Sequence, residues 1–142
     1  MIRICPTCSQ KNRVAVSHAL DTARCGNCKS ALPPISEPID ATPELFDEVL
    51  RESAGPVLVD FWAEWCGPCR RAAPEVKKTA QAMAGRALVL KVDTEAHPQL
   101  AMRYNVQSIP NFIVLKGGEV VMQQPGLVDQ AVMMGWLTDA GA

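Results

Sequence analysis

At 142 residues, with 20% charged residues and a net charge of −1, the chain can form one domain with a hydrophobic core plus a small module too short to bury a core alone. No apolar stretch approaches the roughly 20 residues that span a bilayer. The first residues also lack the about 7 to 15 apolar residues of a secretory signal, so we expect a soluble, cytoplasmic protein with no membrane partner.

Four of the six cysteines lie within the first 28 residues, as two C-x-x-C pairs separated by sixteen residues. In a reducing cytosol, paired cysteines are more often metal ligands or redox catalysts than structural bridges, and this spacing is typical of zinc ribbons. Each pair would form a tight turn that directs two sulfurs toward one point. The two pairs together would supply the four ligands of a tetrahedral site. The pattern predicts a module of residues 1–31 with one structural zinc ion, bound by Cys5, Cys8, Cys25 and Cys28.

Two alternatives to a purely structural zinc site stay open. The four cysteines could form two labile disulfides or a second redox centre, or the site could be regulatory, with thiolates that oxidise and release the metal. With zinc bound, four thiolates and the ion together carry about −2, which reduces the +4 of residues 1–34 to about +2. No nucleic-acid-binding surface is therefore indicated.

Residues 32–43 contain four prolines and predict a semi-rigid, extended connector between two domains. A short edge strand around Ile35–Ile39 is still compatible with proline, because an edge strand leaves some N–H groups unpaired. Thr42 is then predicted to cap a helix that has Pro43 at its first position and ends by Gly55. The second domain is expected to cover residues 44–142.

The remaining elements alternate between apolar runs and helical patterns. Two runs dense in β-branched residues predict central parallel strands, and Gly117-Gly118 predicts a hairpin between two antiparallel strands. The expected order βαβαββα gives an α/β fold with a mixed central sheet flanked by helices. The predicted ranges are strand Val57–Ala63, helix Cys69–Ala84, strand Ala87–Val92, helix His97–Tyr104, strands Asn111–Lys116 and Glu119–Gln123, and helix Gln130–Asp139.

The pentapeptide Trp65–Cys69, WCGPC, places two thiols where a strand is expected to meet a helix. Unpaired backbone N–H groups and the macrodipole of a helix N-terminus stabilise a thiolate, so Cys66 is the predicted nucleophile. Cys69 is three residues further on, within disulfide reach, and would release what Cys66 has captured. The pair would form a reversible two-electron switch without a cofactor.

The block Val57–Cys69, VLVDFWAEWCGPC, resembles the active-site strand and motif of thioredoxins, and Lys91, the tripeptide 108–110 (SIP) and Gly126 follow in that family's order. The similarity covers about residues 35–142. The preceding segment resembles the zinc-binding extension of the thioredoxin 2 subfamily. The resemblance implies the thioredoxin fold with a small zinc-ribbon-like N-terminal module.

The resemblance also assigns roles around the two central cysteines. Asp60, in mid-strand, matches a carboxylate that acts through water as the base for the second cysteine, and Lys91 matches the lysine beside it. The alternative is that Asp60 and Lys91 form only a structural pair or reach solvent. Pro110 is implied to be cis, with a trans turn as its alternative.

A docking surface for the substrate is implied as well. The backbone of Ile109 would bind an extended substrate, while Ser108 and Asn111 depart from the glycine and threonine common in the family. Gly67 permits the tight turn into the helix, and Pro68 fixes one dihedral and removes a donor. The expected substrate-binding residues are Trp65, Gly67, Pro68, Ile109 and Gly126.

Together these features predict a monomeric thiol–disulfide oxidoreductase that reduces protein disulfides, with no cofactor at the redox site. The resemblance implies re-reduction by a thioredoxin reductase. The alternative function is a zinc-ribbon adaptor or redox-regulated chaperone-like binder, for which redox chemistry is secondary.

Overall fold

The computed structural model describes all residues, 1–142, and its core is a five-stranded mixed sheet with helices on both faces. The strands are β1 (Ile2–Ile4), β2 (Lys11–Arg13), β3 (Ala23–Arg24), β4 (Ala31–Leu32), β5 (Ile39–Asp40), β6 (Val57–Trp62), β7 (Leu88–Asp93), β8 (Asn111–Lys116) and β9 (Glu119–Pro125). The helices are α1 (Pro43–Glu52), α2 (Gly67–Ala82), α3 (Pro98–Arg103) and α4 (Gln130–Asp139), with a 3₁₀ turn at Val16–His18. No helix is both long and apolar enough to cross a membrane.

The sheet has the order β5-β7-β6-β8-β9, which confirms the predicted mixed sheet. β6 lies at its centre, parallel to β7 and antiparallel to β8. Alternate residues of β6 enter different cores: Val59 packs on the side of α1 and α3, and Leu58 packs on the side of α2 and α4. Burial on both faces explains why the sequence of β6 is apolar almost throughout.

Two predicted boundaries are wrong. The edge strand is Ile39–Asp40 rather than Ile35–Ile39, because Pro38 has no N–H to donate and pairing with β7 begins only after it. The helix predicted over Cys69–Ala84 begins two residues earlier, at Gly67, because Cys66 is the residue that caps it. The other predicted elements of the sheet domain agree with the structure to within a few residues.

The first helix begins as its sequence predicts. Thr42 has an extended backbone, and its Oγ1 accepts a hydrogen bond of 3.2 Å from the N–H of Leu45. Pro43 occupies the first turn, where its missing N–H costs nothing. The helix buries Phe46 and Val49 against the sheet.

The N-terminal module consists of two antiparallel hairpins, β1-β2 and β3-β4, and it packs directly on the sheet domain. Val16 and Ala19, between the hairpins, are fully buried in the same core as Phe46. Leu20 closely approaches Gly55, which lies just before the strand that leads to the redox pair. The module therefore meets the sheet at the end where β6 starts, whereas Cys66 follows the other end of β6.

A buried arginine ties the module together. Arg3 is only 6% exposed, and its guanidinium donates to the backbone carbonyls of His18 and Asp21 and, at 3.4 Å each, of Leu32 and Pro33. These carbonyls belong to segments far apart in the sequence. The side chain of Arg3 therefore joins the first hairpin to the region of the 3₁₀ turn and to the start of the connector. The connector is consequently held against the module from its first residues onward.

Candidate active site

The redox pair sits at the junction between β6 and α2. Cys66 and Cys69 form a disulfide with their Cα atoms 5.2 Å apart. Cys66 is the N-cap of α2, and the backbone N–H of Cys69 points at its Sγ over 3.2 Å. An amide of the first helical turn thus faces the sulfur where negative charge would develop in the reduced protein.

Both sulfur-bearing residues are nearly buried, with 3% and 4% exposure. Ile109 covers them from the neighbouring loop, and its carbonyl oxygen lies 3.7 Å from the Sγ of Cys66. The Ile109–Pro110 peptide bond is cis, as the resemblance implied. The backbone of Ile109 thus lies directly beside Cys66, and its role in binding a substrate strand stays a prediction.

Gly126 lies next to the loop that contains Ile109 and Pro110. Its N–H donates to the carbonyl of Pro110 over 2.8 Å. It has a φ of +94°, and a Cβ at this position would meet no atom within 4 Å. The space beside Gly126 is therefore open, and its docking role stays a prediction.

Trp65 is the most prominent apolar group of this surface, with 67% of its area exposed. Its indole N–H donates to a Glu95 carboxylate oxygen over 2.8 Å, which fixes the ring. A cavity of about 270 Å³ lies between Trp65, Val106 and Ile109. Gly67 and Pro68, at the start of α2, are exposed beside the cysteines. The predicted substrate-binding residues thus surround the disulfide, although their role in binding stays a prediction.

Asp60 is buried at 1% exposure in mid-strand, and its Oδ1 has no hydrogen-bond partner. Burial raises the pKa of Asp60 to about 7, with Lys91 opposing the shift. Asp60, Cys69 and Lys91 line one cavity of about 90 Å³, which is large enough for a water molecule. The carboxyl of Asp60 and the resolving cysteine therefore share one small space.

Lys91 lies beside Asp60 in the sheet register but forms no ion pair with it within 4.0 Å. Its ammonium lies instead over the ring of Trp62, 4.5 Å from the centroid. A direct structural pair between Asp60 and Lys91 is therefore not formed. The catalytic roles of the two residues stay predictions.

The four N-terminal cysteines come together as a second cluster. Their sulfurs all lie within 4.8 Å of one another, the Cys5–Cys28 and Cys8–Cys25 distances are 3.6 Å, and none is in a disulfide. A tetrahedral ion with metal–sulfur bonds of about 2.3 Å requires sulfurs about 3.8 Å apart, close to these distances. The cluster can therefore hold one metal ion.

The two knuckles of the cluster have the same backbone geometry. Ser9 and Lys29, each one residue after a C-x-x-C pair, have positive φ values of 64° and 65°, and each N–H bonds the carbonyl of the first cysteine of its pair. The pKa of the Cys25 thiol is lowered to about 6, chiefly by the backbone N–H of Cys28. Such donors favour the thiolates that metal binding needs.

Two residues with clear structural roles, Glu95 and Arg3, were not predicted from the sequence. Glu95, which orients Trp65, follows no spacing that would mark it. The burial of Arg3 could not have been predicted, because its alternation with Ile2 and Ile4 favours buried isoleucines and an exposed arginine, and the structure has the reverse.

Known thioredoxins match this chain over different spans. A sequence profile of the family Thioredoxin matches residues 37–139. Thioredoxin C-3 of Corynebacterium nephridii is 36% identical over 137 residues, which is 96% of this chain and 93% of that protein. Thioredoxin 1 of Nostoc sp. is 41% identical over 99 residues, 70% of this chain and 92% of that protein. The solved structure of a mutant thioredoxin from Halobacterium salinarum superposes with a TM-score of 0.69 at 30% identity, covering 75% of this chain and 93% of that one.

Proposed function

Because the chain belongs to the thioredoxin family, we propose that it is a protein thiol–disulfide oxidoreductase that reduces disulfides of substrate proteins. The single observation that carries this proposal is the Cys66–Cys69 disulfide at the N-terminus of α2, with the N–H of Cys69 directed at the sulfur of Cys66. A helix N-terminus stabilises a thiolate, and a second thiol within bonding distance allows the first to be released.

The reaction proceeds by two exchanges. The Cys66 thiolate attacks one sulfur of a substrate disulfide, forming a mixed disulfide and expelling the other substrate sulfur as a thiolate. Asp60, through water, takes the proton of Cys69, and the Cys69 thiolate attacks the sulfur of Cys66. The second substrate sulfur leaves, and the protein keeps the Cys66–Cys69 disulfide. A thioredoxin reductase then supplies two electrons and two protons to restore the dithiol.

The direct test is disulfide reduction with a defined substrate. We expect catalytic amounts of the protein to accelerate the reduction of insulin by dithiothreitol, measured as turbidity from the released B chain. With NADPH and a bacterial thioredoxin reductase, insulin should also support continued NADPH oxidation, measured by absorbance. No acceleration above dithiothreitol alone would overturn the proposal and leave the adaptor or chaperone-like binder as the function of the chain.

Replacing Asp60 with asparagine is expected to lower activity and to raise stability at alkaline pH. We expect Asp60→Asn to slow resolution of the mixed disulfide about 100-fold or more, because a general base contributes this much. In the wild type, resolution should accelerate as the pH rises through about 7, where Asp60 loses its proton. The variant should lack this step in a stopped-flow pH profile.

The stability effect of Asp60→Asn follows from the raised pKa. A carboxyl with a folded pKa of about 7 and an ordinary value of 3.8 contributes most stability below pH 3.8, and this contribution is lost as the pH rises to 7. At about pH 8 the variant should therefore be more stable than the wild type by a few kcal/mol in urea unfolding, since one pKa unit corresponds to about 1.4 kcal/mol. Asp47→Asn, at an exposed ion pair with Arg103, is the control and should change neither quantity. An Asp60→Asn protein that is less stable than the wild type at about pH 8 would contradict this prediction.

We also propose that the four-cysteine cluster binds one zinc ion with a structural role. Cys5, Cys8, Cys25 and Cys28 would hold it, and the all-thiolate set and near-tetrahedral spacing support zinc. A closed site of four thiolates leaves no position for substrate, so the ion supplies folding energy and no chemistry.

The proposal also covers the location, oligomeric state and partners of the protein. Unpaired thiols persist in a reducing compartment, which supports a cytoplasmic location. We propose a monomer whose partners are a thioredoxin reductase and disulfide-containing proteins, and no nucleic acid or membrane.

A further inference from the structure

Asp40 occupies the same row of the sheet as Asp60 and Lys91. In the parallel register of β5, β7 and β6, Asp40 pairs with Lys91, and Lys91 pairs with Asp60. Side chains at one register level project from the same face, and adjacent strands lie about 4.8 Å apart. Lys91 therefore stands between two carboxylates, one on each neighbouring strand.

Burial decreases along this row of three residues. Asp60 is buried, Lys91 is half-buried and Asp40 is exposed. Cavities connect them: Lys91 shares one of about 90 Å³ with Asp60, and one of about 270 Å³ with Asp40 and Lys77. The lysine ammonium forms an ion pair with neither carboxylate within 4.0 Å. It lies over the ring of Trp62 and is bound by neither carboxylate, so both act on it through space.

We propose that Asp40 is a positioning residue for the disulfide exchange, because it competes with Asp60 for the Lys91 ammonium and thereby weakens the attraction that would hold Asp60 ionised below neutral pH. This inference rests on the proposed role of Asp60 in resolution. Without Asp40, Lys91 would act on Asp60 alone, and a negative neighbour would also be absent. Both changes favour the ionised form of Asp60 at lower pH.

Several other charged side chains lie near Asp60 and Lys91. Glu64, before α2, and Arg70, on α2, line its cavity. Lys77, Asp93 and His97 face Lys91 through the two cavities that it shares with Asp40. On the remaining side, the register neighbour of Asp60 is Phe112, which carries no charge. Asp40 is the carboxylate directly opposite Asp60 across Lys91.

The test compares Asp40→Asn with Glu37→Gln. The control removes the same charge from the same segment, but Glu37 lines neither of the cavities shared by Asp40 and Lys91. The first readout is the carbon chemical shift of the Asp60 side-chain carboxyl, followed by NMR from about pH 5 to about pH 9, which needs no activity. We expect the midpoint to move down by about half a pH unit in Asp40→Asn and to stay in Glu37→Gln.

The second readout is the pH profile of mixed-disulfide resolution. A shift of about half a unit makes resolution about threefold faster near pH ~6 in Asp40→Asn, with little change above about pH 8. In a Lys91→Gln background, the effect of Asp40→Asn should shrink, because the shared partner is gone. An unmoved carboxyl midpoint, or a midpoint that moves without the rate profile, overturns the inference. Failure of the proposed function is a different result, in which the wild type does not reduce insulin at any pH.

Discussion

Replacing Cys66 with serine is expected to lower insulin reduction at least about 1,000-fold, because removal of a nucleophile eliminates the step on which every later one depends. A hydroxyl at this position remains protonated even at the helix N-terminus and cannot exchange with a disulfide. The fold should survive, since serine is close in size to cysteine and is a good N-cap. The measurement is the rate of insulin reduction with dithiothreitol, alongside the thermal unfolding curve.

Cys69→Ser is the matched variant, and it separates attack from resolution. Its Cys66 thiol can still capture a substrate sulfur, but nothing within bonding distance can release it. We expect turnover to fall as strongly as in Cys66→Ser, while covalent adducts accumulate that dithiothreitol reverses and mass spectrometry assigns to Cys66. Adducts in the Cys66→Ser protein, or full activity in either variant, would contradict the assignment of nucleophile and resolving thiol.

Removal of metal from the N-terminal cluster is expected to destabilise the whole chain. The proposed ion would hold a module whose Val16 and Ala19 complete the core beneath α1, so loss of the module should open that core to water. We expect the unfolding temperature to fall by more than about 10 °C on treatment with a chelator, in one cooperative transition measured by calorimetry. Elemental analysis of the untreated protein should give one zinc per chain.

Cys25→Ser provides the comparison for the chelator experiment. This variant should already show the lowered unfolding temperature, and the chelator should have little further effect on it. An unchanged transition after complete metal loss would mean that the hairpins hold themselves together. Absence of zinc from a stable protein would instead support the alternative of two disulfides.

The sequence predicted well those features that depend on local chemistry. Thr42 and Pro43 give the start of α1, and Gly117-Gly118 gives the β8-β9 hairpin, because capping and turn geometry are properties of a few adjacent residues. The start of α2 was missed by two residues, since the capping group is a cysteine sulfur rather than one of the usual oxygen-bearing side chains.

Features that depend on long-range packing were less accessible. The prolines of residues 32–43 indicated a connector, but nothing in their pattern shows that Val16 enters the core of the other domain. The burial of Asp60 followed from its place in an apolar strand. The position of the Lys91 ammonium over Trp62 did not follow, because a long, flexible side chain has several partners within reach.

The module meets the sheet at the start of β6 and the redox pair follows its end, so the six sulfurs of the chain form two separate sets. β6 separates Gly55, against which Leu20 of the module packs, from the redox pair, and its six residues span about 20 Å, roughly three times the Cα separation that a disulfide can bridge. This separation opposes scrambling between the two sets within one molecule. An oxidised Cys66–Cys69 bond has no internal thiol to attack it, and its electrons can be exchanged only with an outside molecule.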